Sequence, residues 1–168
     1  MAMQTKIAAD RATFVAPIDA GVRIGHVHLK VADLDRALAF YCGVLGFELT
    51  QRFGFGQQAA FISAGGYHHH HIGLNTWESR GGPPPPQGTT GLYHLAILYP
   101  TRAALGDALR RLVEANIPLD GASDHGVSEA LYLRDPDENG VELYWDRPRE
   151  VNLAAGANRS RDRARSLI

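Results

Sequence analysis

The chain carries one structural pattern twice, and this internal repeat limits the folds open to it more than any other feature. Residues 24–29 (IGHVHL) align with residues 92–97 (LYHLAI), and residues 72–75 (IGLN) align with residues 141–144 (VELY). The offsets are 68 and 69 residues, so the two halves stay in near register. Each half reads as a strand, a helix and three further strands. We therefore predict an α+β fold of two β-α-β-β-β modules whose sheets form one half-open, barrel-like cavity.

The predicted elements divide the chain around a long proline-rich connection. Asp33 and Thr101 are suited to capping the two helices, since apolar residues at helical spacing follow each of them. Residues 67–77 (YHHHHIGLNTW) are predicted as one strand, and the segment carrying Asp120, Asp124 and His125 as a loop. The predicted divisions are an N-terminal arm (1–22), one domain (23–147, with module 1 at about 23–78, a linker at 79–91 and module 2 at about 92–147) and a C-terminal tail (148–168).

The proline-rich connection itself has more than one reading. Four consecutive prolines, Pro83 to Pro86, exclude a helix or a central strand there. A loop of this length in a compact domain serves as a lid or an interface element, or is a plain linker between modules. The sequence leaves these three alternatives open.

The composition of the chain limits which cellular compartment and which kinds of partner are expected. A net charge of −1 over 168 residues gives no reason to expect nucleic acid or an anionic membrane as partner. Cys42 is the only cysteine, so no disulfide forms within the chain, which favours a reducing compartment such as the cytoplasm. No apolar run approaches the ~20 residues of a membrane-spanning helix.

One carboxylate lies in an apolar, aromatic strand. Glu142 is the second residue of the segment VELYW, which follows the turn-forming segment DPDENG. A buried carboxylate is costly unless it is paired or bound to a cation. Glu142 therefore lies on the solvent face of an edge strand, pairs with an arginine, or binds a cation.

The repeat selects four positions that would converge if the modules pair about a local twofold axis. His26 and His94 occupy the two first strands, and Gly73 and Glu142 the two last strands. His28 shares a face with His26, because side chains alternate along a strand. Two imidazoles and one carboxylate with open coordination positions suit non-haem Fe(II) or a similar divalent ion. The alternative is that both histidines are hydrogen-bonded core residues.

Two long motifs resemble the vicinal oxygen chelate superfamily, which contains glyoxalase I, bleomycin- and fosfomycin-resistance proteins and extradiol dioxygenases. They are residues 26–47 (HVHLKVADLDRALAFYCGVLGF) and residues 131–146 (LYLRDPDENGVELYWD), and the resemblance covers about residues 23–147. It implies a metal bound by His26, His94 and Glu142. It also implies a homodimer, since homodimers are common in that superfamily.

Two further motifs are residues 67–77 (YHHHHIGLNTW) and residues 123–133 (SDHGVSEALYL). Together they look most like the catechol 2,3-dioxygenase-like branch of the superfamily. The resemblance implies His70 as a second-sphere acid/base, with His71 as the next candidate, and His125 and Tyr132 as residues that position the substrate or the oxygen adduct. It implies a small aromatic substrate, O2 and Fe(II), with Mn(II), Ni(II) or Zn(II) as other candidates for the ion. Glyoxalase I-like proteins usually carry a glutamate where this chain has Gly73. Classical enzymes of the branch have two double modules, and their turn has glycine where Glu138 stands.

Two other functions stay open at this point. One is a glyoxalase-like isomerase or lyase with a non-redox divalent ion, and the other is a resistance-type protein that binds a small molecule without metal. Individual residues also have simpler interpretations. In these interpretations, the run from His68 to His71 is only a surface cluster. Tyr132 is then an ordinary core tyrosine, and His125 is an exposed loop residue.

Overall fold

The computed structural model describes residues 17–65 and 69–148, and the two halves hold matching sets of strands and helices. The first half contains β1 (Val27–Lys30), α1 (Leu34–Leu38) continued by a π-helical segment (Ala39–Val44), β2 (Glu48–Phe53), β3 (Ala59–Ser63) and β4 (Ile72–Asn75). The second half contains β5 (Leu95–Leu98), α2 (Arg102–Glu114), β6 (Leu119–Asp124), β7 (Ser128–Arg134) and β8 (Gly140–Asp146).

Each half forms its own four-stranded sheet. The strand orders are β1-β4-β3-β2 and β5-β8-β7-β6, so the two sheets have the same topology. The first and last strands of each half pair in parallel, and the other pairs are antiparallel. A register shift occurs at Leu49/Gln51 and at the equivalent Leu119/Gly121. The predicted α+β class and the duplication are confirmed. No strand ladder joins the two sheets within the described ranges, so the strands form no closed barrel there.

Both helices begin as the sequence predicts. The Asp33 side chain accepts a hydrogen bond from the backbone N–H of Arg36 at 2.9 Å, and Thr101 Oγ1 accepts one from the N–H of Ala104 at 3.1 Å. These caps satisfy backbone donors that have no partner within the helix. The first helical segment ends at Val44, and Gly46, whose φ of 87° favours glycine, follows its C-cap Leu45. The π-helical turn before it is a feature that the periodicity of the sequence did not predict.

One face of each sheet packs into the hydrophobic core. Leu29 and Val31 point inward from the first half, and Val141 and Leu143 from the second. Side chains alternate along a strand, so their neighbours point the other way. His26, His28, His94 and Glu142 therefore occupy the faces opposite the core. Because of this alternation, their side chains are not packed in the core and can contact a metal ion or a substrate.

The turn between β7 and β8 attaches the second half to the first. Tyr41 is fully buried, and its hydroxyl donates to Asp135 Oδ2 at 2.9 Å. Asp137 Oδ1 accepts from the backbone N–H of Ala32 at 2.9 Å and from Arg36 at 2.6 Å. Contacts between the halves thus involve the C-terminal end of β1 and the first helix.

We expect Tyr41→Phe to lower the free energy of unfolding by about 1–2 kcal/mol, because it removes a buried hydrogen bond to a carboxylate. Asp135 Oδ2 would keep Asn139 Nδ2 as a donor, which limits the loss. Urea unfolding followed by fluorescence measures the change. Tyr93→Phe is the matched control, because Tyr93 is 83% exposed. Equal stability of both variants would contradict the anchoring role of this bond.

One predicted strand boundary and one predicted loop are wrong. The strand predicted over residues 67–77 begins only at Ile72, so His69 and His70 precede the strand instead of alternating along it. Asp120 and Asp124 lie in β6, which was predicted as a loop. The segment LDGASD offers few buried apolar residues, and pairing with β7 holds it at the sheet edge.

Several predictions concern parts of the chain that the structure does not describe or describes only in part. Most of the N-terminal arm (1–22) and nearly all of the C-terminal tail (148–168) lie outside the described residues, as does His68. The division of the chain into these segments stays a prediction. Within residues 17–65 and 69–148, no helix combines the length and the apolar character that a bilayer span requires.

Candidate metal centre

Glu142 lies on an inner strand, with its side chain 14% exposed. Glu142 is therefore not on an edge strand, and within residues 17–65 and 69–148 the partners found for its carboxylate are a histidine and a tyrosine, not an arginine. Glu142 Oε2 lies 3.0 Å from His94 Nε2, and Glu142 Oε1 accepts a hydrogen bond from the Tyr132 hydroxyl at 3.1 Å. Tyr132 is directly opposite Glu142 in the β7–β8 ladder. The cross-strand register thus places the Tyr132 phenol on one carboxylate oxygen, and the imidazole of His94, which precedes β5, lies beside the other.

His125 extends this set by one more contact. It lies in the tight turn between β6 and β7, and its Nε2 is 2.8 Å from the Tyr132 hydroxyl oxygen. The phenol has a single hydrogen, which it donates to Glu142. Nε2 of His125 must then carry the hydrogen of the His125–Tyr132 bond. Four of the six predicted site residues, His94, Glu142, Tyr132 and His125, are therefore connected on one face of the second sheet.

Burial favours the protonated phenol in this network. Burial raises the pKa of Tyr132 above its ordinary value, and the hydrogen bond to the Glu142 carboxylate raises it further. Tyr132 is thus held as a neutral donor around neutral pH. Its hydroxyl orients both the carboxylate and the exposed imidazole.

The separation between His94 and Glu142 suits two ligands of one ion. Adjacent ligands at right angles on an ion with bonds of about 2.1 Å lie about 3.0 Å apart. His94 Nε2 and Glu142 Oε2 are 3.0 Å apart, and this distance also fits a direct hydrogen bond. An imidazole and a carboxylate are donors that Fe(II), Mn(II), Ni(II) and Zn(II) all accept. The geometry of the second half is therefore consistent with His94 and Glu142, two of the three predicted ligands, binding one metal ion.

His26, the third predicted ligand, lies among other histidines of the first half. Its ring centroid is 4.3 Å from that of His70 and 6.1 Å from that of His69. One donor atom from each of these three residues falls within 4.8 Å of the others. Within residues 17–65 and 69–148, no such group of three contains both His26 and His94. One chain thus brings His94 and Glu142 together but places His26 with His69 and His70.

His70 is the most enclosed of the described histidines. It is 4% exposed, and its ring stacks on Phe61 with centroids 3.8 Å apart. Its Nε2 is buried with no hydrogen-bond partner among the described residues. Burial lowers the pKa of His70, and the neighbouring His26 and His69 lower it further. His70 is therefore a neutral imidazole that can accept a proton beside His26.

The structure gives the other candidate, His71, a different environment. His71 Nδ1 accepts a hydrogen bond from the backbone N–H of Ala64 at 3.2 Å and lies 3.2 Å from Ser63 Oγ. These bonds hold the end of the β3–β4 connection. The geometry thus favours His70 over His71 beside the metal ligand. The involvement of His69 was not singled out from the sequence, although the run of four histidines was the available signal.

Gly140 allows the first and last strands of the second half to approach closely. A Cβ atom there would lie 3.0 Å from His94 Cβ and would clash with the carbonyl oxygen of Tyr93. We expect Gly140→Ala to destabilise the protein by about 1–3 kcal/mol, because backbone must move to make room. Thermal unfolding measures this change. Gly106→Ala is the matched control: Gly106 lies in α2 with nothing near its Cβ position, so we expect a small stabilisation of about 0.5–1 kcal/mol.

A result in which both alanine variants behave alike would contradict the close approach at Gly140. A displaced His94 would also disturb its contact with Glu142. We therefore expect Gly140→Ala to bind metal more weakly than Gly106→Ala, which an equilibrium titration with Mn(II) tests.

The family assignment agrees with this geometry. The family model of the Glyoxalase/Bleomycin resistance protein/Dioxygenase superfamily matches residues 23–143, which span both modules. The chain belongs to this superfamily. Among curated members, the catechol-2,3-dioxygenase of Bacillus subtilis (strain 168) is 44% identical over 128 residues, covering 76% of this chain and 43% of that protein. Biphenyl-2,3-diol 1,2-dioxygenase 3 of Rhodococcus globerulus is 32% identical over 124 residues, covering 74% of this chain and 63% of that protein.

These two curated superfamily members are longer than this chain, which spans about half their length. Among solved structures, the lactoylglutathione lyase from Agrobacterium tumefaciens is similar with a TM-score of 0.58 and 25% identity, covering 76% of this chain and 96% of that one. The superfamily thus includes both dioxygenases and lyases among the proteins to which this member is similar.

The position of Gly73 bears on the predicted ligand set. The resemblance to the superfamily predicts a glutamate at this position in glyoxalase I-like proteins, and this chain has glycine there. A Cβ atom on Gly73 would lie 2.9 Å from two atoms of the His28 ring, so the imidazole covers the glycine. His28 in turn contacts Trp77, with ring centroids 5.7 Å apart. A side chain at position 73 would have to displace His28, which leaves a two-histidine, one-carboxylate set as the complete predicted set.

Proposed function

We propose that this protein is an extradiol-type ring-cleaving dioxygenase that acts on a catechol-like aromatic with O2 and non-haem Fe(II). The observation that supports this most is the connected set of His94, Glu142, Tyr132 and His125, found in a chain 44% identical to a catechol-2,3-dioxygenase. In the proposal, His26, His94 and Glu142 hold the ion. When bound, Fe(II) would supply open positions for both catechol oxygens and O2, together with the ability to exchange electrons.

The remaining residues of the proposed site transfer protons or position the substrate. A catechol loses its hydroxyl protons on chelation, so the site needs a group that accepts a proton and later returns it. Buried, neutral His70 suits that role. Tyr132 stays protonated and orients His125, whose imidazole is exposed and can hydrogen-bond to a substrate hydroxyl. Enclosure by Phe61 keeps water away from His70.

The proposal also covers the compartment, the oligomeric state and the substrate. We propose the cytoplasm as the compartment, since the single cysteine favours a reducing environment. We also propose a homodimer, aromatic catabolism as the setting, and a small catechol as substrate. The names of the two dioxygenase relatives support the diol class of substrate.

The test is oxygen consumption by protein purified without a tag and loaded anaerobically with Fe(II). Catechol, 3-methylcatechol and 2,3-dihydroxybiphenyl form the substrate panel, and resorcinol is the matched control because its hydroxyls cannot chelate one ion. We expect oxygen uptake and a yellow ring-opened product with an ortho-diol and neither with resorcinol. Absence of uptake across the panel, in protein that has bound iron, would contradict the proposal.

A glyoxalase-like isomerase or lyase is the second candidate, and the structural similarity to a lactoylglutathione lyase favours it. This reading predicts activity with Ni(II) or Zn(II) on a hemithioacetal and no oxygen uptake. The covered Gly73 position weighs against it. A protein that binds no divalent ion would instead fit a resistance-type binding function.

A further inference from the structure

Three histidine rings of the first half, those of His26, His69 and His70, lie against one another beside β1. The ring centroid of His70 is 4.3 Å from that of each of the other two. One nitrogen from each ring lies within 4.8 Å of the nitrogens from the other two. We call these three residues the histidine cluster. Within residues 17–65 and 69–148, no other group of three histidine, cysteine or acidic side chains meets this spacing.

Backbone hydrogen bonds of His71 hold the histidine cluster together. The His71 N–H donates to the carbonyl oxygen of Ile62 at 3.0 Å, and the His71 carbonyl oxygen accepts from the N–H of Val27 at 3.1 Å. His70 precedes His71 in the chain, and His26 precedes Val27. The same bonds therefore fix the backbone of two members of the cluster next to each other. A site whose ligands are already held in place binds an ion at a lower cost in conformational entropy.

The buried member of the cluster has a nitrogen that the described residues leave without a partner. His70 is 4% exposed, and the rings of Phe61 and His69 both stack on it. Its Nε2 is buried with no hydrogen-bond partner in residues 17–65 and 69–148. A buried polar atom without a partner is costly, and this one therefore indicates a ligand. His26 and His69 are exposed, so an ion can reach the cluster from solvent.

The donor atoms of the cluster favour one kind of ion. The set consists of three imidazoles, without a carboxylate or a thiolate. Imidazole nitrogens suit Zn(II), and Fe(II) binds a given set of such donors more weakly than Zn(II) does. Three protein nitrogens and one water are a common four-coordinate arrangement of Zn(II). Nitrogens in that arrangement lie about 3.3 Å apart, and rotation of the exposed His26 and His69 side chains can close the remaining distance.

We propose that His26, His69 and His70 form a second metal site, which binds Zn(II) and in doing so inhibits the proposed dioxygenase. The inhibition rests on the proposed function, whereas the zinc site does not. A neutral imidazole has one nitrogen lone pair. His26 bound to Zn(II) therefore cannot also bind Fe(II), and His70 bound to Zn(II) cannot accept a proton from a catechol. Occupation of the histidine cluster by zinc and of the proposed centre by iron would exclude each other.

A zinc titration of metal-free, untagged protein in competition with a chromogenic chelator tests the site. The titration uses the Glu142→Ala variant, so that zinc cannot bind at the predicted iron centre. Glu142→Gln, which keeps an acceptor for the Tyr132 hydroxyl, is a second background in which the protein is less disturbed. We expect one zinc per chain in both backgrounds. Adding His69→Ala should weaken zinc binding by at least the roughly 10–100-fold that loss of a residue supporting a ligand costs.

His28→Ala in the same background is the matched control. His28 is an exposed histidine of β1, two residues from His26, and does not belong to the cluster. We expect it to leave the zinc affinity unchanged, and thermal unfolding checks that each variant is folded. Absence of zinc binding in both Glu142 variants would overturn the site. Equal zinc affinity with and without His69, or equal weakening by His28→Ala and His69→Ala, would also overturn it.

Oxygen uptake by the iron-loaded protein with a catechol tests the inhibition. We expect the zinc concentration that halves the rate to be at least about tenfold higher for His69→Ala than for the wild-type protein. Equal inhibition of both proteins by zinc would overturn the competition at His26 and His70. Protein that binds zinc through His69 but consumes no oxygen would contradict the proposed function and leave the zinc site standing. Protein that cleaves a catechol but binds zinc independently of His69 would overturn the zinc site alone.

Discussion

Glu142→Ala is expected to reduce bound iron to background. Glu142 is the only carboxylate in the predicted ligand set, and its Oε2 lies 3.0 Å from His94 Nε2. Without it, the predicted ligands are neutral imidazoles, which bind a divalent ion far more weakly than a set that includes a charged oxygen donor. The Tyr132 hydroxyl would also lose its acceptor. Iron per chain after anaerobic loading and desalting measures the effect, and thermal unfolding checks that the variant is folded.

The matched control for this variant is Glu114→Gln, which removes a carboxylate from the exposed end of α2. We expect that variant to bind iron as the wild-type protein does. Full iron content in folded Glu142→Ala would remove Glu142 from the ligand set. The group formed by His26, His69 and His70 would then be the remaining candidate, because its donor atoms lie within 4.8 Å of one another.

His70→Ala is expected to leave iron in place and to slow turnover by roughly 10²–10⁴-fold, the usual contribution of a positioned acid/base. His70 is not a predicted ligand, yet its ring lies 4.3 Å from that of His26. Single-turnover rates with a catechol under saturating O2 isolate this step from metal binding. His70→Asn, which leaves a smaller cavity against Phe61, is expected to be slow as well.

His69→Ala is the control for this pair, because His69 belongs to the same cluster but is exposed. We expect it to keep near-normal turnover. Equal rates for His70→Ala and the wild-type protein would show that the buried imidazole only packs against Phe61. Loss of iron in His70→Ala would instead show that His70 holds the ion.

The sequence predicted the fold well because the relevant information is local or periodic. The segment VELYW was predicted as a strand, and β8 is one; alternation along it places Glu142 opposite the core residues Val141 and Leu143. The caps at Asp33 and Thr101 are single-residue signals that need no tertiary context. The repeat predicted two sheets of equal topology, since equivalent sequences form equivalent ladders.

The features that sequence reasoning missed depend on partners that are distant in sequence. β6 has weak strand propensity and forms because β7 offers an unpaired edge. The histidine run was predicted to alternate along a strand, but His69 and His70 precede β4, where His70 stacks on Phe61. The placement of His26 relative to Glu142 depends on how modules pair, which no periodicity within a module encodes.

The fate of isotopically labelled O2 tests the proposed extradiol dioxygenase function most directly. Extradiol cleavage breaks the ring bond next to the diol and adds both atoms of O2 to the substrate, giving a hydroxymuconic semialdehyde without an external reductant. We expect mass spectrometry of the product formed from catechol under oxygen-18 gas to show both labelled atoms, allowing for exchange of the aldehyde oxygen with water. A dicarboxylic acid product, cleaved between the hydroxyls, or unlabelled product with no oxygen uptake would contradict the account.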